Sequence, residues 1–87
     1  MVQVFLPRSL AVLIPRLPRR ATVEGATVAE VVAALDAQWP GVADRVLEAG
    51  PAIREHINVF VDGDLATLQT PLAPDSVVHV IPAVAGG

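Results

Sequence analysis

The chain has 87 residues, 53% of them hydrophobic and 17% charged, a composition that favours one folded domain over a disordered segment. It contains no cysteine, which excludes disulfides, thiolate metal ligands and a thiol nucleophile. The net charge of -3 includes no basic tract, and all six cationic residues are arginine, which argues against nucleic acid and membranes as main partners. No apolar run approaches the ~18 residues of a membrane span, and Pro7 and Arg8 interrupt the apolar start, so a cytoplasmic location is expected.

The first residues alternate between apolar and other side chains. Val2, Val4 and Leu6 recur with the period of two that is typical of a strand with one buried face. Residues 7–18 contain three prolines and two arginines among apolar residues, so this segment is predicted to be a long, irregular connection. It leads to a second strand near residues 19–23.

A helix is predicted for Val28–Gln38. Thr27 and Glu30 have the spacing of a capping box, in which each side chain reaches a backbone N–H of the helix start. Trp39 is expected to anchor the core at the helix end, and Pro40-Gly41 ends the helix. One stripe of the helix is apolar and is expected to cover a sheet: Val28, Val31, Val32 and Leu35.

The rest of the chain resolves into short elements separated by turn residues. Asp62-Gly63-Asp64 is better explained by a tight hairpin turn than by a metal-binding acid pair. The predicted elements are a helical turn at 42–47 closed by Gly50-Pro51, a strand at 57–61, a short strand near 65–66, a bend at 70–74 and a last strand at 76–81.

The order strand, strand, helix, strand, strand, strand predicts an α+β protein of the β-grasp (ubiquitin-like) type. Its mixed sheet of four to five strands has one main helix packed on one face. The long chain between the first and last strands allows them to pair in parallel, with the last strand central. Residues 1–81 are predicted to form the domain, and residues 82–87 a flexible C-terminal tail ending in Gly86-Gly87.

Two segments resemble the MoaD/ThiS family of ubiquitin-like sulfur carriers: Ile-Asn-Val-Phe-Val-Asp-Gly at 57–63 and Val-Ile-Pro-Ala-Val-Ala-Gly-Gly at 80–87. The ending Pro-Ala-Val-Ala-Gly-Gly resembles most closely the CysO-type carriers. The resemblance implies a protein co-substrate rather than an enzyme, without a cofactor or metal of its own. An E1-like adenylyltransferase and sulfurtransferase would use ATP and Mg²⁺ to convert the carboxylate of Gly87 into a thiocarboxylate. Gly86, lacking a Cβ, would let the partner's channel close on the tail.

The resemblance also implies partners downstream of the activating enzyme. The thiocarboxylate would donate its sulfur to an acceptor synthase, with cysteine synthesis favoured and thiazole, molybdopterin or thiosugar assembly as further acceptors. In the CysO-type pathway the acceptor is a pyridoxal-phosphate cysteine synthase, and a zinc metalloprotease cuts the product from the tail.

Strand parity predicts which sheet face meets a partner. Seven residues are expected to face the helix: Val2, Val4, Leu6, Val59, Val61, Val78 and Val80. The opposite face would then form an apolar partner surface beside the tail: Phe5, Phe60, Val77, His79 and Ile81. Val84 of the tail is predicted to belong to the same surface. The alternative is that the segment from Leu10 to Leu17 folds over part of this face.

The histidines, the arginines and the terminal glycines each allow more than one interpretation from sequence alone. His56 and His79 lack neighbouring ligands at metal-binding spacing, which favours solvent-facing or structural roles. Arg16, Arg19 and Arg20 are equally consistent with a partner surface and with protection of an edge strand. The chain could also be a ubiquitin-like modifier conjugated through Gly87, or a non-covalent β-grasp regulatory subunit that does not need its terminal glycines.

Overall fold

A five-stranded mixed sheet forms the centre of the computed structural model, which describes residues 1–82. The strand order is β2-β1-β7-β5-β6, with β7 parallel to β1 and antiparallel to β5. This confirms the predicted β-grasp arrangement and the central position of the last strand. The strands are β1 (Val2–Phe5), β2 (Arg20–Val23), β3 (Leu47–Glu48), β4 (Ala52–Ile53), β5 (Ile57–Val61), β6 (Asp64–Leu65) and β7 (Val77–Pro82), and the helices are α1 (Arg8–Ala11), α2 (Val28–Gln38) and α3 (Val42–Val46).

The N-terminus of α2 is fixed by the predicted capping box. Glu30 N donates to Thr27 Oγ1 over 3.3 Å, and Ala26 N donates to Glu30 Oε1 over 3.2 Å. The loop after β6 completes the cap, because Val28 N and Ala29 N donate to carbonyl groups of residues 70 and 68. All four N–H groups of the first turn therefore have partners, which a helix start needs when it packs against other elements.

The core lies between the sheet and α2. All seven residues predicted to face the helix are buried, as are the four residues of the α2 stripe, and Trp39 packs against the cluster from its edge. The 8–17 segment is more ordered than predicted. It contains the one-turn helix α1, and it contributes three buried side chains to the same core: Leu10, Ile14 and Leu17.

The region after α2 differs from the prediction in one respect. Helix α3 ends at Val46, and Leu47, predicted to belong to that helical turn, begins the small hairpin β3-β4. Asp36 holds the turn between the two helices, since its Oδ1 accepts from Gly41 N at 3.1 Å and from Ala43 N at 3.0 Å. Each strand of this hairpin has only two residues. A strand that short shows no alternation of apolar and polar residues by which it could be predicted from the sequence.

Asp62 and Gly63 form the predicted hairpin turn, with φ of 51° and 92°. Positive φ at both central positions is the conformation that matches the twist of two antiparallel strands. Asp62 Oδ1 also accepts from Val77 N over 2.9 Å, which ties the turn to the start of β7. The strand β6 begins one residue earlier than predicted.

Candidate functional site: the open sheet face and the root of the tail

The sheet has one face covered by α2 and one face that no helix of residues 1–82 covers, which we call the open face. Along β5, Val59 is 1% exposed whereas the neighbouring Phe60 is only half-buried. Along β7, Val78 and Val80 are buried whereas Ile81 is 43% exposed. The alternation predicted from strand parity is therefore the one that the structure has, and it follows from successive side chains pointing to opposite faces.

An aromatic row crosses the open face. Phe5 on β1 and Phe60 on β5 are both in register with His79 on β7, which lies between them. The Phe5 and His79 rings stack, with their centroids 4.8 Å apart and their planes 9° apart. The register continues to Arg20 on β2 and Leu65 on β6, so the row spans all five strands. We call Phe5, His79 and Phe60 the ring row.

The root of the tail adjoins the ring row. Pro82 ends β7 opposite Ile57, and Ile81 lies on the open face opposite Asn58. A shallow hollow of about 200 Å³ lies here, lined by Phe5, Arg19, His79, Ile81 and Pro82 among others. Four of the predicted surface residues, Phe5, Phe60, His79 and Ile81, are thus brought together on one face. The predicted site residues Val84, Gly86 and Gly87 lie outside the described residues.

The 8–17 segment packs away from the open face. Its three buried side chains belong to the core with the helix-facing residues, and the side chain of Ile14 lies near Gly41 at the start of α3. The alternative that this segment covers the predicted partner surface is therefore wrong. Of the three arginines near this segment, Arg20 lies on the edge strand β2, and Arg19 donates from Nε to the Leu6 carbonyl oxygen over 2.9 Å.

The open face has two features that were not predicted. Leu65 is 68% exposed and extends the ring row to the edge of the sheet, and Arg20 forms its other end. The position of Leu65 opposite Phe60 could have been predicted from the tight turn at Asp62-Gly63. A two-residue hairpin loop fixes which residues of β5 and β6 are opposite each other.

The histidines and acidic residues do not converge on a second site. Within residues 1–82, no three His, Cys, Asp or Glu side chains are grouped so as to hold a metal ion. His79 stacks on a phenylalanine ring, and His56 is exposed in the loop before β5. None of the helices in the described part of the chain has the length and apolar character needed to cross a membrane.

Comparisons with known proteins agree on one family. The profile of the ThiS family matches residues 12–87. Small archaeal modifier protein 3 of Haloferax volcanii is 37% identical over 68 residues, covering 74% of this chain and 73% of that protein.

Solved structures have the same fold. The crystal structure of SAMP1 from Haloferax volcanii has a TM-score of 0.77 at 30% identity, covering 99% of this chain and 98% of that one. A chain in the crystal structure of the Amycolatopsis orientalis BexX/CysO complex has a TM-score of 0.87 at 23% identity and covers 100% of both chains, a likeness that shows the fold alone.

Proposed function

The protein belongs to the ThiS family of small ubiquitin-like carriers and modifiers, and we propose that it is a sulfur carrier whose Gly87 becomes a thiocarboxylate. The observation that carries the proposal is the position of the tail root. The central strand β7 ends at Pro82 beside the ring row, and the sequence continues from there to Gly86-Gly87. Members of this family are small carrier or modifier proteins that are not themselves catalysts, and we propose that partner enzymes act on this chain.

The proposed chemistry has two steps. The Gly87 carboxylate attacks the α-phosphorus of ATP in the activating enzyme, which forms an acyl-adenylate and releases pyrophosphate. Hydrosulfide supplied by the partner then attacks the acyl carbon and AMP leaves, which gives the thiocarboxylate directly with no oxidation or reduction. ATP and Mg²⁺ belong to the activating enzyme, so this chain supplies only the acyl group and the surface by which it is held.

The open face would be the surface that the activating enzyme holds. Aromatic side chains contribute large contact areas at a low cost in conformational entropy, and exposed apolar faces usually mark interaction sites. Pro82, predicted to belong to the tail, is the last residue of β7, and a fully extended chain of the five residues that follow it would reach ~17 Å. An enzyme bound to the ring row could then take the terminal glycines into a channel that excludes side chains, because glycine has no Cβ.

Cysteine synthesis is the favoured destination of the sulfur. The support for it is the ending Pro-Ala-Val-Ala-Gly-Gly at 82–87, which resembles the CysO-type carriers. Under this proposal the partners are an acceptor synthase in the cytoplasm and a zinc metalloprotease that releases the product. The same thiocarboxylate has the chemistry to serve thiazole, molybdopterin or thiosugar assembly.

A second candidate function is covalent protein modification. It is supported by the relative at 37% identity, whose name describes it as a modifier. In this case a lysine ε-amine of a target protein attacks the activated Gly87 instead of a sulfur nucleophile, and an isopeptide forms with loss of AMP. The two functions share the activation step and differ in the nucleophile that follows.

Intact-mass analysis separates the candidates. The chain would be incubated with an E1-like sulfurtransferase, ATP and a sulfur source, alongside a variant extended by one alanine after Gly87 and a variant lacking Gly86-Gly87. A sulfur carrier gains the mass of one oxygen-to-sulfur exchange, located on Gly87, and both variants stay unmodified. Isopeptide adducts on target lysines would support the modifier, and full cellular activity of the truncated variant would support a non-covalent subunit.

A further inference from the structure

A second hollow lies beside the root of the tail, on the side of the sheet that carries the helices. It has a volume of about 460 Å³ and is lined by residues of the 8–17 segment, of α3 and of the loop before β5, together with Pro82. We call it the helix-side cavity. Pro82 also lines the shallow hollow beside the ring row, so both recesses adjoin the tail root.

The helix-side cavity is cationic in a protein whose net charge is -3. Arg45 and Arg54 line it, and Asp44 is the one carboxylate among its lining residues. Arg54 is oriented by the Asp44 carbonyl oxygen, which accepts from Nε at 3.1 Å and from Nη2 at 2.8 Å. A guanidinium has five N–H donors, so three of those of Arg54 remain for another acceptor.

The cavity also presents the guanidinium of Arg45 and the imidazole of His56. Both are exposed, and neither takes part in a side-chain hydrogen bond within residues 1–82. The floor beside them is apolar: Leu13 is 54% exposed, and Pro7 and Ile57 line the same recess. Cationic groups next to an exposed apolar side chain complement a peptide segment that carries carboxylates beside an apolar residue.

We propose that the helix-side cavity receives an acidic segment of the activating enzyme, located at the mouth of the channel that admits the tail. This inference rests on the proposed function. An enzyme that surrounds the tail root must contact both recesses, because Pro82 borders each of them. The open face supplies apolar contact area, whereas the helix-side cavity supplies charge complementarity. Charge complementarity affects the encounter rate and the choice of partner more than it affects the affinity.

The test is pyrophosphate exchange from ATP, catalysed by the E1-like activating enzyme, measured at several concentrations of this protein. Arg45→Glu reverses the charge of one cationic side chain of the cavity and leaves Arg54 bonded to Asp44. Arg16→Glu is the matched control, because it changes the net charge by the same amount. Arg16 is exposed and lines neither recess. Arg45→Lys keeps the charge. Thermal unfolding of each variant verifies that it is folded.

The expected result is a KM for this protein raised about tenfold by Arg45→Glu at low salt, with kcat unchanged. The increase should diminish as salt is added, because exposed charges are screened. Arg16→Glu and Arg45→Lys should stay within about twofold of the wild type.

Two results would overturn the inference. If the wild-type chain supports exchange and Arg45→Glu has the same KM as Arg16→Glu, the helix-side cavity is not a docking site, and the proposed function stands. If the wild-type chain supports no exchange with any E1-like enzyme of its source organism, the proposed function and this inference fail together.

Discussion

Gly25 is the position where one added carbon should destabilise the fold most sharply. A Cβ at this position would lie 2.8 Å from Val31 Cγ2, 2.9 Å from Val31 N and 3.2 Å from the Glu30 carbonyl carbon. Two of these three atoms belong to the backbone of the first turn of α2, so they cannot move aside like the end of a flexible side chain. Gly25→Ala must therefore displace the helix start or the chain that leads into it.

The cost of Gly25→Ala can be estimated from what that displacement disturbs. Overpacking a close contact costs about 1–3 kcal/mol, and weakening a capping interaction costs about 1 kcal/mol. Restricting the unfolded chain offsets about 0.4–1 kcal/mol. The net loss is about 1–3.5 kcal/mol, which for a domain of this size lowers Tm by about 5–25 °C.

Urea and thermal unfolding of Gly25→Ala would measure this loss. Unfolding would be monitored by far-UV circular dichroism and by the fluorescence of Trp39, the single tryptophan. Gly63→Ala is the control. Gly63 has φ of 92° and no atom within 4 Å of its added Cβ, so only backbone strain of about 1 kcal/mol is expected there. If Gly63→Ala proves as destabilising as Gly25→Ala, the steric argument for Gly25 is wrong.

Three further substitutions test the division between the core and the open face. Phe60→Asp should raise the KM of the activating enzyme for this protein at least about tenfold in pyrophosphate exchange. It should lower the free energy of unfolding by about 1–2 kcal/mol in urea. Unchanged loading kinetics would contradict the role of the ring row. Val59→Asp, one residue away but 1% exposed, should leave the chain unfolded in circular dichroism because an unpaired carboxylate would be buried, and a folded variant would contradict the assignment of the faces. Asp36→Ala removes the acceptor of Gly41 N and Ala43 N and should cost about 1–3 kcal/mol in urea unfolding, whereas Asp36→Asn, which keeps an acceptor oxygen, should recover part of the loss.

The assignment of sheet faces could be made from sequence because the pattern is strict where one face is buried. The buried residues of β5 and β7 are alternate valines: Val59, Val61, Val78 and Val80. A shift of one residue would place four valines in solvent, so the hydrophobic pattern and the register specify each other. The same alternation places the residues of the ring row on the opposite face.

The features that escaped prediction depend on contacts between distant parts of the chain. Helix α1 has no capping side chain and only one buried residue, Leu10, so its local signal is weak. The hairpin β3-β4 pairs only two residues on each side. The closeness of Gly25 to the backbone of α2 is set by the angle at which the chain enters the helix. The helix-side cavity likewise joins three segments far apart in sequence, including Leu13, Arg45 and His56.

The central position of β7 explains how a partner could hold this protein firmly without disturbing its core. β7 pairs with β1 on one side, along residues 77–79, and with β5 on the other side, along residues 78–82. An edge strand has one row of backbone groups unpaired along its whole length. The side chains of β7 alternate, so Val78 and Val80 bind the strand to the core while His79 and Ile81 stay available to a partner. Force applied at the tail therefore loads the β5 ladder first, at Pro82, and both ladders from His79 inward. A tail leaving β2 or β6 would be anchored by one ladder only, and binding there would compete with fraying of the edge.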